Sequence, residues 1–110
     1  MVTKSEFRKA KAVELKSSIR YSRGAIVSKA LLNKRAGTVT LFAFDTGQFL
    51  SEHTAPFDAL VQILEGAVQI KIAKRVLMAS AGEAVIMPAH IPHALKALKR
   101  FKMLLTMIRS

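Results

Sequence analysis

The sequence predicts an all-β fold, one barrel or sandwich of about eight short strands, and three observations predict it. From residue 19 onward, short apolar runs rich in Val, Ile, Leu and Phe recur, and Gly, Pro, Asn or charged clusters break them roughly every eight to twelve residues. Segments such as Thr38-Val39-Thr40-Leu41 and Gln69-Ile70-Lys71-Ile72 alternate polar and apolar residues, the period of a strand with one wet face. The 110 residues are 51% apolar, which suits one domain with one core.

In chain order the predicted strands are Ala25 to Leu32, Thr38 to Phe44, Leu60 to Leu64, Ala67 to Ile72, Arg75 to Met78, Ala84 to Met87, His93 to Ala97 and Phe101 to Met107. Gly24, Gly37, Gly47, Gly66 and Gly82 fall between runs, where turns form. Ahead of the barrel, assigned to residues 19–110, residues 1–18 form a basic arm or a short helix. A helix over Ser5 to Leu15 would carry Phe7, Ala10 and Leu15 on a thin apolar stripe. The run Phe101-Lys102-Met103-Leu104-Leu105 is apolar on both strand faces, which fits burial against a second subunit and points to a homodimer.

The net charge of +11 is uneven along the chain. Residues 1–35 hold ten Lys and Arg against Glu6 and Glu14, and residues 71–110 hold eight against Glu83. Residues 36–70 hold none, but contain Asp45, Glu52, Asp58 and Glu65. Nucleic-acid binding would call for basic residues interleaved with stacking aromatics, or a helix-turn-helix or zinc-finger pattern, and neither occurs; the charge reads as a solvated basic surface. No apolar run approaches the roughly 18 residues of a membrane span, and the N-terminus has no apolar signal core, so the expectation is a cytoplasmic protein with no membrane partner. With no cysteine, thiolate metal sites and cysteine nucleophiles are excluded.

Two stretches carry the chemistry. In Gly47 to Gly66, five residues separate Gly47 from His53. In Gly82 to Ala97, Gly82 is followed by Pro88 and then His93, within Met87-Pro88-Ala89-His90-Ile91-Pro92-His93. These stretches resemble the two motifs of the cupins: glycine, five residues, His-x-His, a glutamate and a closing glycine, then glycine, five residues, Pro-x-Gly, two residues and histidine. The resemblance covers about residues 37–108. It implies a small single-domain cupin, a jelly-roll β-barrel also described as a double-stranded β-helix.

Cupins with the full ligand set hold one divalent metal, often iron, manganese, zinc or nickel, on three histidines and a carboxylate. Here Ala55 stands at the second histidine position and Ala59 at the glutamate position, so only His53 and His93 carry over. A divalent ion usually needs three protein ligands, and the substitutions disfavour a metal cofactor. By strand alternation Glu52 faces away from His53, and Asp58 is out of phase with Ala59 unless a bulge near Pro56 intervenes. His90 stands where the family has glycine and is the candidate third ligand, with its ring expected at the solvent or the barrel mouth.

Without a metal, His53 and His93 are either buried polar groups satisfied by each other, a carbonyl or water, or pocket residues that hold a ligand or transfer a proton. Phe49, Phe57, Met87 and Gln62 flank the motifs as further pocket candidates, set against plain core packing for the apolar three and an outward position for Gln62. Pro88 and Pro92 restrain the loop that leads into His93. The leading expectation is a protein that binds a small molecule in the barrel pocket, similar to the sensory domains of sugar-responsive regulators. No helix-turn-helix follows the barrel before Arg109-Ser110, so regulation would need a separate partner. The alternative is a metal-dependent cupin enzyme, a dioxygenase or isomerase, using His53 and His93.

Overall fold

The computed structural model describes residues 2–4, as backbone, and residues 9–109. Among the described residues ten strands form two sheets: β1 Val2–Lys4, β2 Ile26–Lys34, β3 Gly37–Phe44, β4 Phe49–His53, β5 Ala59–Glu65, β6 Ala67–Ile72, β7 Arg75–Ser80, β8 Ala84–Met87, β9 His93–Ala97 and β10 Phe101–Ile108. One sheet runs β1-β2-β3-β10-β5-β8 and the other β4-β9-β6-β7, the two facing layers of a jelly-roll barrel. The eight predicted strands are present; β1 and β4 are additional. β4 escapes a composition reading because four of its five residues are exposed and it ends in polar Ser51-Glu52-His53.

Alternation places the core between the sheets. Val61 and Ile63 of β5, Val68 and Ile70 of β6, Leu95 and Ala97 of β9, and Phe101 and Met103 of β10 point inward and are buried. Phe101 lies opposite Phe44 across the β10–β3 ladder, and their rings stack at 4.5 Å between centroids. Aromatic pairs at this spacing add about 0.5–1.5 kcal/mol beyond their burial.

The outer face of the larger sheet is also apolar, and the chain covers it with its own N-terminal segment. Ile19, Leu41 and Ala43 form a second buried cluster against which Leu15, Tyr21, Val27 and Leu104 pack. Lys102 is buried beneath this strap and donates to the Lys16 carbonyl at 2.6 Å, while Lys29 donates to the Ser18 carbonyl at 3.2 Å. The Tyr21 hydroxyl donates to Glu65 at 2.5 Å, and its ring lies near the cations of Arg100 and Lys102. Burial and the neighbouring Glu65 carboxylate raise the Tyr21 pKa. The two apolar faces of β10 are thereby accounted for within one chain, and a second subunit is not needed to explain them. The expected helix over Ser5 to Leu15 has residues 5–8 outside the described residues; residues 9–15 carry no helix, because their outward charges leave only Leu15 to bury.

The turn between β5 and β6 requires Gly66. Its φ is +79°, and a Cβ there would lie 1.9 Å from the Arg100 carbonyl oxygen.

Candidate functional site

His53 ends β4, His93 begins β9, and the two are paired across the ladder. Their meeting depends on an irregularity in β4. Leu50 pairs with Leu95 inside the barrel, and plain alternation from Leu50 would bring Glu52 inward opposite His93. A bulge between Leu50 and His53 inserts one residue and turns His53 inward instead. Glu52 is left outside, 3.9 Å from Lys71 in an exposed ion pair.

The rings meet edge to face with centroids 4.4 Å apart. Each Nδ1 lies against the carbonyl two residues earlier, His53 against Ser51 at 2.7 Å and His93 against Ile91 at 3.2 Å. A carbonyl only accepts, so Nδ1 carries the proton of each neutral ring and each Nε2 keeps a lone pair for a guest. His93 is buried, His53 exposed at the rim. Burial lowers the His93 pKa, and the charge of His53 lowers it further, while the Ile91 carbonyl opposes both.

Beneath the pair lies a cavity of about 130 Å³ between the sheets. Besides the histidines it is lined by Leu50, Ala55, Ala59, Leu95 and Leu105, and by the thioethers of Met87, Met103 and Met107. The loops that close it are tied together. His90 donates its backbone N–H to the Ala55 carbonyl at 2.7 Å, and Asp58 accepts the Ala89 N–H at 2.8 Å. His90, at the position where the family motif has glycine, has φ +64°, in the left-handed region.

Of the residues singled out from the sequence, His53, His93 and Met87 come together here. Phe49 is 63% exposed on the outer face of the smaller sheet, where it pairs with Lys96. Gln62 is exposed on the outer face of β5, opposite Leu104, because strand alternation gives the inward places to Val61 and Ile63. Phe57 is half-buried in the β4–β5 loop and does not line the cavity, and His90 is exposed in the β8–β9 loop. Met103, Leu105 and Met107 also line the cavity; the sequence points to Met103 and Leu105 only as part of a doubly apolar strand, although the spacing of two on one strand signals a shared face.

The divalent-metal set of the cupins does not fit these residues. Ala55 and Ala59 offer no donor, Asp58 is committed to the Ala89 N–H, and Glu52 faces out. Among the described residues no three of His, Cys, Asp and Glu converge. A larger depression of about 350 Å³ lies on the outside of the smaller sheet, where Ala94 leaves a gap between Phe49, Gln69, Lys71 and Lys96. It is shallow and open, whereas the cavity under the histidines is smaller and more enclosed.

Residues 35–105 match the AraC-like ligand binding domain family. Among solved structures, a conserved Streptococcus pyogenes protein of unknown function is 32% identical with a TM-score of 0.91, over 100% of this chain and 96% of that one. A cupin 2 conserved barrel domain protein from Leptotrichia buccalis is 36% identical with a TM-score of 0.82, over 86% of this chain and 46% of that one. A cupin superfamily protein from Desulfitobacterium hafniense is 27% identical with a TM-score of 0.88, over 94% of each chain. No curated protein matches.

Proposed function

The chain belongs to the AraC-like ligand binding domain family and is a small cupin barrel, and from that premise we propose that it takes one compact ligand into the cavity beneath His53 and His93 as a binding protein rather than a catalyst. The observation that carries this reading is the histidine pair itself. Both Nδ1 atoms are spent on backbone carbonyls, which leaves two Nε2 acceptors at the rim of an otherwise apolar enclosure. The complementary guest donates an O–H or N–H at one end and inserts an apolar body at the other. A cavity of about 130 Å³ is close in size to an engineered cavity of about 150 Å³ that holds benzene. The lining supplies no nucleophile and no carboxylate to share a proton with the imidazoles.

Phenol is the simplest probe of this geometry. Calorimetry should give saturable one-site binding with a Kd on the order of 1 mM, about −4.1 kcal/mol. Fluorobenzene, which has the same ring but no donor, should bind about tenfold more weakly, the worth of one hydrogen bond to Nε2. Equal affinity for the two would show that the histidines do not read the guest, and no binding of either would remove the cavity as the ligand site.

A further inference from the structure

The depression on the outside of the smaller sheet offers hydrogen-bond donors where the cavity offers acceptors. Ala94 of β9 stands opposite Lys71 of β6 on one side and the bulged Ser51-Glu52 pair of β4 on the other. One short side chain facing two residues of its neighbour leaves the gap, about 350 Å³ in volume. Two residues along the same face, Lys96 lies between Phe49 of β4 and Gln69 of β6. Lys71 and Lys96 are therefore diagonal neighbours, with Cα atoms about 7–8 Å apart, and both line the depression. Phe49, 63% exposed, forms its wall, and Met78, 58% exposed on the outside of β7, continues the row beyond Gln69. Glu52, 3.9 Å from Lys71, is the one acidic residue in the four strands of this sheet. Among the described residues Lys96 has no ion-pair or hydrogen-bond partner.

We propose that this depression binds an aromatic carboxylate, its ring lying over Ala94 against Phe49 and its carboxylate held between the ammonium groups of Lys71 and Lys96. Shape argues for a flat ring. The depression is shallow and open, so it suits a body that lies along the sheet, and the exposed Phe49 gives that body an aromatic partner. Charge argues for a carboxylate. Two cations face one acidic residue, and a guest anion neutralises the remaining positive charge through charge-assisted hydrogen bonds, which are stronger than neutral ones. Lysine ammonium groups only donate, and the Ser51 hydroxyl and Gln69 amide can donate beside them. The Nε2 acceptors above the apolar cavity offer a carboxylate nothing to accept. The two sites thus take guests of opposite hydrogen-bonding character, and this one stands independently of the cavity.

Benzoate is the probe, and nitrobenzene is its neutral isostere. Protein carrying ¹³C-methyl alanine is titrated with each by NMR. Benzoate should shift the Ala94 methyl saturably with a Kd on the order of 1 mM, and its ring protons should show NOE cross-peaks to that methyl. Nitrobenzene, which loses both ammonium contacts, should bind there about tenfold more weakly. Lys96→Gln keeps a polar side chain at an exposed position and should weaken benzoate about 3–5-fold. Glu52→Gln removes the carboxylate that competes for Lys71 and should tighten benzoate about 2–5-fold, a gain that damage to the fold cannot produce. Phenol affinity should be unchanged in both variants, because neither residue lines the cavity. Equal binding of benzoate and nitrobenzene, an Ala94 methyl that does not move as benzoate is added, or a Glu52→Gln variant that binds benzoate no more tightly than the parent overturns the proposal.

Discussion

Filling the cavity should make the protein more stable and unable to bind. Ala59 is the position to change, because it is 3% exposed, lines the cavity and faces its open space between Met87 and Met107. Ala59→Leu adds three carbons. At about 0.8 kcal/mol per buried carbon their transfer from water is worth about 2.4 kcal/mol. The ceiling set by the void is similar, since about 130 Å³ at roughly 24 cal/mol per Å³ comes to about 3 kcal/mol. Fixing the new side chain costs about 0.5–1 kcal/mol, and the adjustment of Met87 and Met107 takes roughly another 1 kcal/mol. The net expectation is a gain of about 0.5–1 kcal/mol, read as a higher urea midpoint at unchanged m-value, together with loss of phenol binding. A loss of about 2 kcal/mol would mean that the space is already occupied by side chains. A gain accompanied by unchanged phenol affinity would mean that phenol sits elsewhere. Either result would refute the reasoning.

Three further perturbations probe the supports of the site. His93 is held neutral by burial, so between its lowered folded pKa and its unfolded value near 6.5 the unfolded chain binds the extra proton; stability should fall as pH drops through that window and level off below it, and His93→Gln should flatten the slope in urea melts at pH 4.5–7.5. Gly66→Ala places a methyl 1.9 Å from the Arg100 carbonyl at φ +79° and should cost about 3 kcal/mol or more, whereas Gly47→Ala and Gly82→Ala, also at positive φ but with open space around them, should cost about 1–2 kcal/mol by thermal melting. Tyr21→Phe removes the hydroxyl that Glu65 accepts but leaves the ring under Arg100 and Lys102; it should cost about 1 kcal/mol and leave phenol binding unchanged, because the strap lies on the far side of the larger sheet.

The barrel was legible because turn residues and apolar runs recur at strand spacing, and because motif spacing set His53 and His93 apart as a pair. What brings them together was not legible. The bulge after Leu50 leaves no mark in composition, and by plain strand alternation Glu52 would be taken for the inward residue if counted from Leu50. Gln62, weighed from the sequence as a pocket donor or an outward polar residue, is outward, and the run around it is apolar on both faces for two different reasons. Val61 and Ile63 face the core, and Leu64 faces the strap that holds Ile19 and Tyr21. The same covering accounts for Leu104 beside Met103. A strap that folds back over a sheet is a long-range contact, and periodicity within one strand carries no record of its partner. The thioether pair around Ala59 belongs to the same class: Met87 and Met107 are twenty residues apart in sequence and become neighbours of one alanine only once β8, β5 and β10 are in register.

The most direct test of the central claim is an intermolecular NOE measurement between phenol and protein labelled with ¹³C-methyl methionine. If the ligand site is the cavity beneath His53 and His93, the ring protons of bound phenol will show cross-peaks to the methyls of Met87, Met103 and Met107 and none to Met78. Cross-peaks to Met78, or saturable binding with none to the cavity methyls, would contradict it.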